Sequence, residues 1–62
     1  MFGVLVHGVY NNEDNYNFFK IFKTLDEARD FATNAVCGMG LHATVYDYDK
    51  ELDEYIEFFD VG

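Results

Sequence analysis

Apolar and polar positions divide this chain into five runs. Phe2-Gly-Val-Leu-Val-His-Gly-Val-Tyr10 is β-branched and aromatic and predicts a strand. Asn11-Asn-Glu-Asp-Asn15 gathers turn formers, and Tyr16-Asn-Phe-Phe-Lys-Ile-Phe-Lys23 predicts the returning strand. At Thr24 the period changes from two to 3.6. Leu25, Ala28, Phe31, Ala32, Ala35 and Val36 recur at helical spacing and give one apolar stripe. The stripe is preceded by Thr24-Leu-Asp-Glu27, a capping box in which the threonine oxygen accepts from the Glu27 N–H and the Glu27 carboxylate reaches back to the cap. Asp26 and Glu27 in the first turn suit the helix dipole, and Gly38 and Gly40 end the helix.

Leu41-His-Ala-Thr-Val-Tyr-Asp-Tyr48 alternates again and predicts a third strand. The segment 53–60 fits two descriptions. Leu52, Tyr55, Ile56 and Phe59 form a short helical stripe, whereas Tyr55-Ile-Glu-Phe-Phe59 has strand composition. A strand is favoured, because without it the third strand lacks a partner. The expectation is a single α+β domain over residues 1–62, of ββαββ type. It has a four-stranded antiparallel sheet in the order 2-1-3-4 with one helix packed on one face. The alternative topology places strand 3 beside strand 2.

Strand parity then divides the side chains between two faces. Phe2, Val4 and Val6, Phe19 and Ile21, Leu41, Ala43 and Val45, and Ile56 and Phe58 are expected to face the helix. The opposite face takes Leu5, His7, Val9, Tyr16, Phe18, Lys20, Phe22, His42, Thr44, Tyr46, Tyr48, Tyr55, Glu57 and Phe59. So aromatic a face marks an interaction surface. The expected occupant is a second copy of the chain, with His7, Phe18, Phe22, His42 and Phe59 at the dimer interface. A four-residue turn Asp49-Lys-Glu-Leu52 sets Val45 opposite Ile56, Tyr46 opposite Tyr55, and Asp47 opposite Glu54.

Composition sharpens the picture at one point. The 62 residues carry 12 acids against four bases, a net charge of −8. Between Asp47 and Asp60 stand seven acids and one lysine, a net −6, so three quarters of the charge lies in the last hairpin. Two strands of about seven residues span roughly 22 Å at about 3.3 Å per residue. That is about one net charge per 4 Å, close to the roughly 3.4 Å spacing of phosphates along a single nucleic-acid strand. Such a chain repels nucleic acid and anionic membranes and is suited to the basic surfaces that hold nucleic acid. Its expected partner is therefore a basic protein surface of a nucleic-acid-binding protein, with no direct nucleic-acid or membrane contact. The partner-binding residues are expected to be Asp47, Asp49, Glu51, Asp53, Glu54, Glu57 and Asp60 for charge. Tyr46, Tyr48 and Tyr55 supply aromatic anchors.

Catalytic and metal chemistry find little material. The chain has no serine, and its one cysteine, Cys37, reads as a small buried hydrophobe at the helix end. His7 and His42 fall on one face as a packed pair with no evident third ligand. Asp47-x-Asp49-x-Glu51-x-Asp53 has carboxylates at calcium-loop spacing, but Leu52 stands where such a loop needs glycine and Phe58 where it needs glutamate. No enzyme activity, cofactor or metal is expected. Met1-Phe-Gly-Val-Leu-Val6 is too short for a secretory signal, and a cytoplasmic setting is expected.

"YNFFKIFKTLDEARDFATNAV" followed by "ATVYDYDKELDEYIEFFD" resembles small bacteriophage proteins built from a β-hairpin, a capped "TLDEA" helix and an acidic hairpin. Some anti-CRISPR proteins and other phage inhibitors of host nucleic-acid enzymes share that architecture. The resemblance implies a stoichiometric inhibitor, often dimeric, that blocks a basic nucleic-acid-binding surface in the host cytoplasm. The alternative is a homodimeric structural or accessory protein whose acidity serves solubility alone.

Overall fold

The computed structural model describes residues 1–10 and 12–61; position 11 of the expected turn lies outside them. The elements are β1 (Phe2–Tyr10), β2 (Glu13–Phe22), α1 (Leu25–Met39), β3 (His42–Asp49) and β4 (Glu54–Val61). The four strands form one antiparallel sheet in the order β2-β1-β3-β4, an α+β fold of ββαββ type. Segment 54–61 is a strand, so its helical description is set aside.

The helix begins where the capping box places it. Thr24 is extended (φ −122°, ψ 155°), and its Oγ1 accepts from the Glu27 N–H at 3.2 Å. The same hydroxyl donates to Glu27 Oε1 at 3.0 Å, so the glutamate reaches back to the cap side chain. At the other end Gly40 takes the left-handed conformation (φ 69°), and its N–H donates to the Ala35 carbonyl. A side chain there would strain the backbone, which is why glycine closes this helix.

The helix packs through Ala28, Ala32 and Ala35, which bring its backbone close to Val4 and Val6 of β1, Leu41, and Ala43 and Val45 of β3. Phe2, Tyr16, Phe22, Leu25, Phe31, Val36, Phe59 and Val61 border this core, half-buried. Cys37 is exposed, not buried. It lies nine residues from Ala28, half a turn round the helix at 3.6 residues per turn.

Two β-bulges decide which residues reach that core. Between the pairs Tyr10↔Glu13 and Gly8↔Tyr16, β1 advances two residues and β2 advances three. The surplus residue on β2 exchanges the faces of everything after it. Val4 therefore pairs with Lys20 and Phe2 with Phe22, which puts Tyr16, Phe18, Lys20 and Phe22 on the helix side. Phe18 and Phe22 pack against Phe31 with ring centroids at 6.1 and 5.2 Å, and the Lys20 ammonium lies 5.6 Å from the Phe31 ring. The parity expected from sequence, Phe19 and Ile21 inward, is that of a hairpin without the bulge.

The second bulge is at Phe58. Val45 pairs with Phe59 but Tyr46 pairs with Glu57, leaving Phe58 surplus. Phe59 consequently faces the helix, under the Arg29 guanidinium at 6.0 Å, and Phe58 is pushed out to 53% exposure. The expectation had these two phenylalanines reversed.

The alanine face sets a steric limit that a mutation tests directly. Ala32→Leu should destabilise the fold by about 1–3 kcal/mol through overpacking. Thr33→Leu on the exposed side should stay within about 0.5 kcal/mol. Urea-unfolding midpoints of the two variants measure the difference.

Candidate functional site

Burial on the helix side of β3 stops at Val45; Asp47, next on that face, is exposed. β1 stays paired with β3 as far as Phe2↔Asp47, and the Tyr48 N–H donates to the Met1 carbonyl at 3.1 Å, so the β3–β4 hairpin projects as a two-stranded arm only over residues 48–55. The chain measures 39 × 21 × 15 Å, and its radius of gyration is 11.6 Å. A compact chain of this length would have a radius of about 10.6 Å.

The arm's register differs from the expected one. Its turn spans residues 50–53, one position later than expected, so Asp47 pairs with Ile56, Tyr48 with Tyr55 and Asp49 with Glu54. Val45 therefore does not meet Ile56, Tyr46 does not meet Tyr55, and the like-charge pair is Asp49–Glu54 rather than Asp47–Glu54. The slide is explained at the turn itself. Asp49 Oδ1 accepts from the Glu51 N–H at 2.9 Å and the Leu52 N–H at 3.3 Å, so it caps the turn from the last position of β3. Asp53 closes the loop with a positive φ of 54°, tolerated by aspartate more than by most residues.

One side of the arm and its root carries Asp47, Asp49, Glu54 and Ile56. The other carries Tyr46, Tyr48, Tyr55 and Glu57. A groove of about 510 Å³ runs along it between Asp47, Asp49, Glu51, Ile56, Glu57 and Phe58. Ile56 and Phe58 are 40% and 53% exposed there, two apolar anchors among carboxylates that parity arguments had assigned to the core. The bulge exposes Phe58, and the end of the helix's cover exposes Ile56. No residue type in the sequence signals either.

The tyrosines pack against the open face of the sheet. Tyr48 and Tyr55 lie 5.2 Å apart, and Phe19 reaches across to meet Tyr55 at 5.5 Å and Tyr46 at 6.0 Å, edge-on. Gly3 makes this crossing possible, since a Cβ there would collide with the Phe19 ring. Phe19 and Ile21 remain 44% and 48% exposed. The five residues expected at a dimer interface do not share this face. His7 and His42 do, as a directly paired and stacked couple with centroids 5.6 Å apart. Phe18, Phe22 and Phe59 lie on the helix side because of the two bulges.

Among the described residues no group of three His, Cys, Asp or Glu side chains is placed to hold a metal ion. No helix of the described residues is long and apolar enough to cross a membrane. Comparison with known proteins finds no matching family model, no matching curated protein and no matching solved structure.

The Tyr48 phenol donates to Asp53 Oδ1 across the turn. That bond holds the Tyr48 pKa above the usual phenol value, with desolvation and the charges of Tyr55 and Asp49 adding in the same direction. A raised folded-state pKa contributes stability below the unfolded value of about 10. That contribution is lost as pH rises through the folded value. Asp53→Asn should lower the Tyr48 titration midpoint towards that of an ordinary tyrosine. NMR titration of the Tyr48 ring measures it, and an unchanged midpoint would show that the Asp53 contact does not set it.

Proposed function

We propose that this chain is a stoichiometric, non-catalytic inhibitor of the bacteriophage type, of the kind represented by anti-CRISPR proteins. In this reading it acts in the host cytoplasm by laying its acidic hairpin on a basic nucleic-acid-binding surface of a host enzyme or complex. The observation that carries the reading is the arm. It extends the sheet past the end of β1 and of the core, and over the whole hairpin from Asp47 to Asp60 only Lys50 offsets seven acids. Charge at this density steers a basic partner and excludes a phosphate backbone. Ile56 and Phe58 add the apolar contact that charge alone does not provide. Tyr46, Tyr48 and Tyr55 stiffen the arm from its other side and line the approach to the open face.

A second reading rests on a separate observation, the exposure of Phe19 and Ile21 on the uncovered sheet face. It pairs two copies through that face, with acidity serving solubility alone.

Immobilised chain should capture a nucleic-acid-binding protein from host lysate, and added nucleic acid should compete. The triple reversal Asp47→Lys, Asp49→Lys and Glu54→Lys should abolish capture; undiminished capture by that variant overturns the inhibitor reading. For the pairing, light scattering should give twice the 7.2 kDa of one chain, falling to a single chain on Ile21→Glu. A native monomer at micromolar concentration excludes it.

A further inference from the structure

Glu57 and Asp60 are three residues apart, and a regular strand puts such residues on opposite faces. The bulge at Phe58 cancels that alternation. Glu57 pairs with Tyr46 and Asp60 with Thr44, so both carboxylates stand on the open face at successive positions. Thr44 is 7% exposed, and its Oγ1 donates to Asp60 Oδ1 at 2.8 Å, which fixes that carboxylate. Along the same face His7 and His42 stack at 5.6 Å with their planes 26° apart. His7, His42, Thr44, Glu57 and Asp60 together line a hollow of about 430 Å³.

We propose that this hollow receives an arginine side chain of the partner. The inference builds on the reading of the chain as a binder of basic surfaces, and adds a defined receptor to it. The argument is one of shape. Two carboxylates supply acceptors, and the imidazole pair supplies a flat wall. A metal ion demands several donors converging on one point, and the described residues do not provide that. A guanidinium spreads five N–H donors over a plane, so it can reach both carboxylates while its face lies on the imidazole. A lysine ammonium is a point charge and gains nothing from the flat wall.

The test needs no partner. The isotope-labelled chain is titrated with N-acetyl-arginine amide, and backbone amide shifts are followed by NMR. Saturable shifts should centre on His7, His42, Thr44, Glu57 and Asp60, and N-acetyl-lysine amide should bind about fivefold more weakly or worse. Asp60→Asn keeps an oxygen to accept from Thr44, so the fold is retained while binding falls about fivefold; Glu57→Gln serves as the second variant. Shifts spread along residues 47–54, an equal response to the lysine amide, or native affinity in both variants overturns the receptor. None of those results touches capture through the arm, which fails separately if reversal of Asp47, Asp49 and Glu54 has no effect.

Discussion

One helix serves this sheet, and the rest of the molecule is arranged around what that helix can cover. Fifteen residues make a rod about 22 Å long, whereas the eight- to ten-residue strands run to roughly 27–33 Å. Cover is therefore confined to part of one face. Alanines 28, 32 and 35 allow close approach and make a dense but small core with the valines of β1 and β3. The larger side chains sit at its margins. Phe18, Phe22 and Phe31 form one flank with Lys20 over the Phe22 and Phe31 rings, and Phe59 forms the other with Arg29 above it. Both cations extend the cover by laying their aliphatic stems and charged heads along aromatic surface.

The elements and their order were legible because each boundary has its own chemistry. A capping box starts the helix, a left-handed glycine ends it, and period two brackets it on both sides. The faces of β1 and β3 were legible too, since Val4, Val6, Leu41, Ala43 and Val45 alternate without interruption and their mutual pairing is regular. What sequence could not carry is the pair of bulges. Inserting one residue into a ladder changes no composition and breaks no run of apolar residues, yet it exchanges Phe18 with Phe19 and Phe58 with Phe59 between faces. The tyrosines of the arm escaped this error because they lie on the turn side of the second bulge. There only the register slid, and parity was preserved.

Both edges of the sheet are also shaped by these features. β2 and β4 are the outer strands, and each carries a bulge that bends its free backbone edge away from regular pairing. Glu54, Glu57 and Asp60 on β4 add charge against edge-to-edge association. Edge protection does not account for all the acidity, however. Asp47 lies on β3, an interior strand, and Glu51 lies in the turn.

Sorting the last hairpin's carboxylates by occupation separates scaffold from surface. Asp49 caps the turn, Asp53 accepts from Tyr48 and Asp60 accepts from Thr44. Asp47, Glu51, Glu54 and Glu57 make no such bond among the described residues. The first group fixes the shape of the hairpin, and the second is left as charge held at set positions. Holding like charges together costs free energy in the isolated chain, through the Asp49–Glu54 pair above all. A basic surface brought against these positions would relieve that repulsion. The same repulsion keeps two arms from docking on each other. Any self-association is thereby directed to the open face, where Phe19 and Ile21 lie.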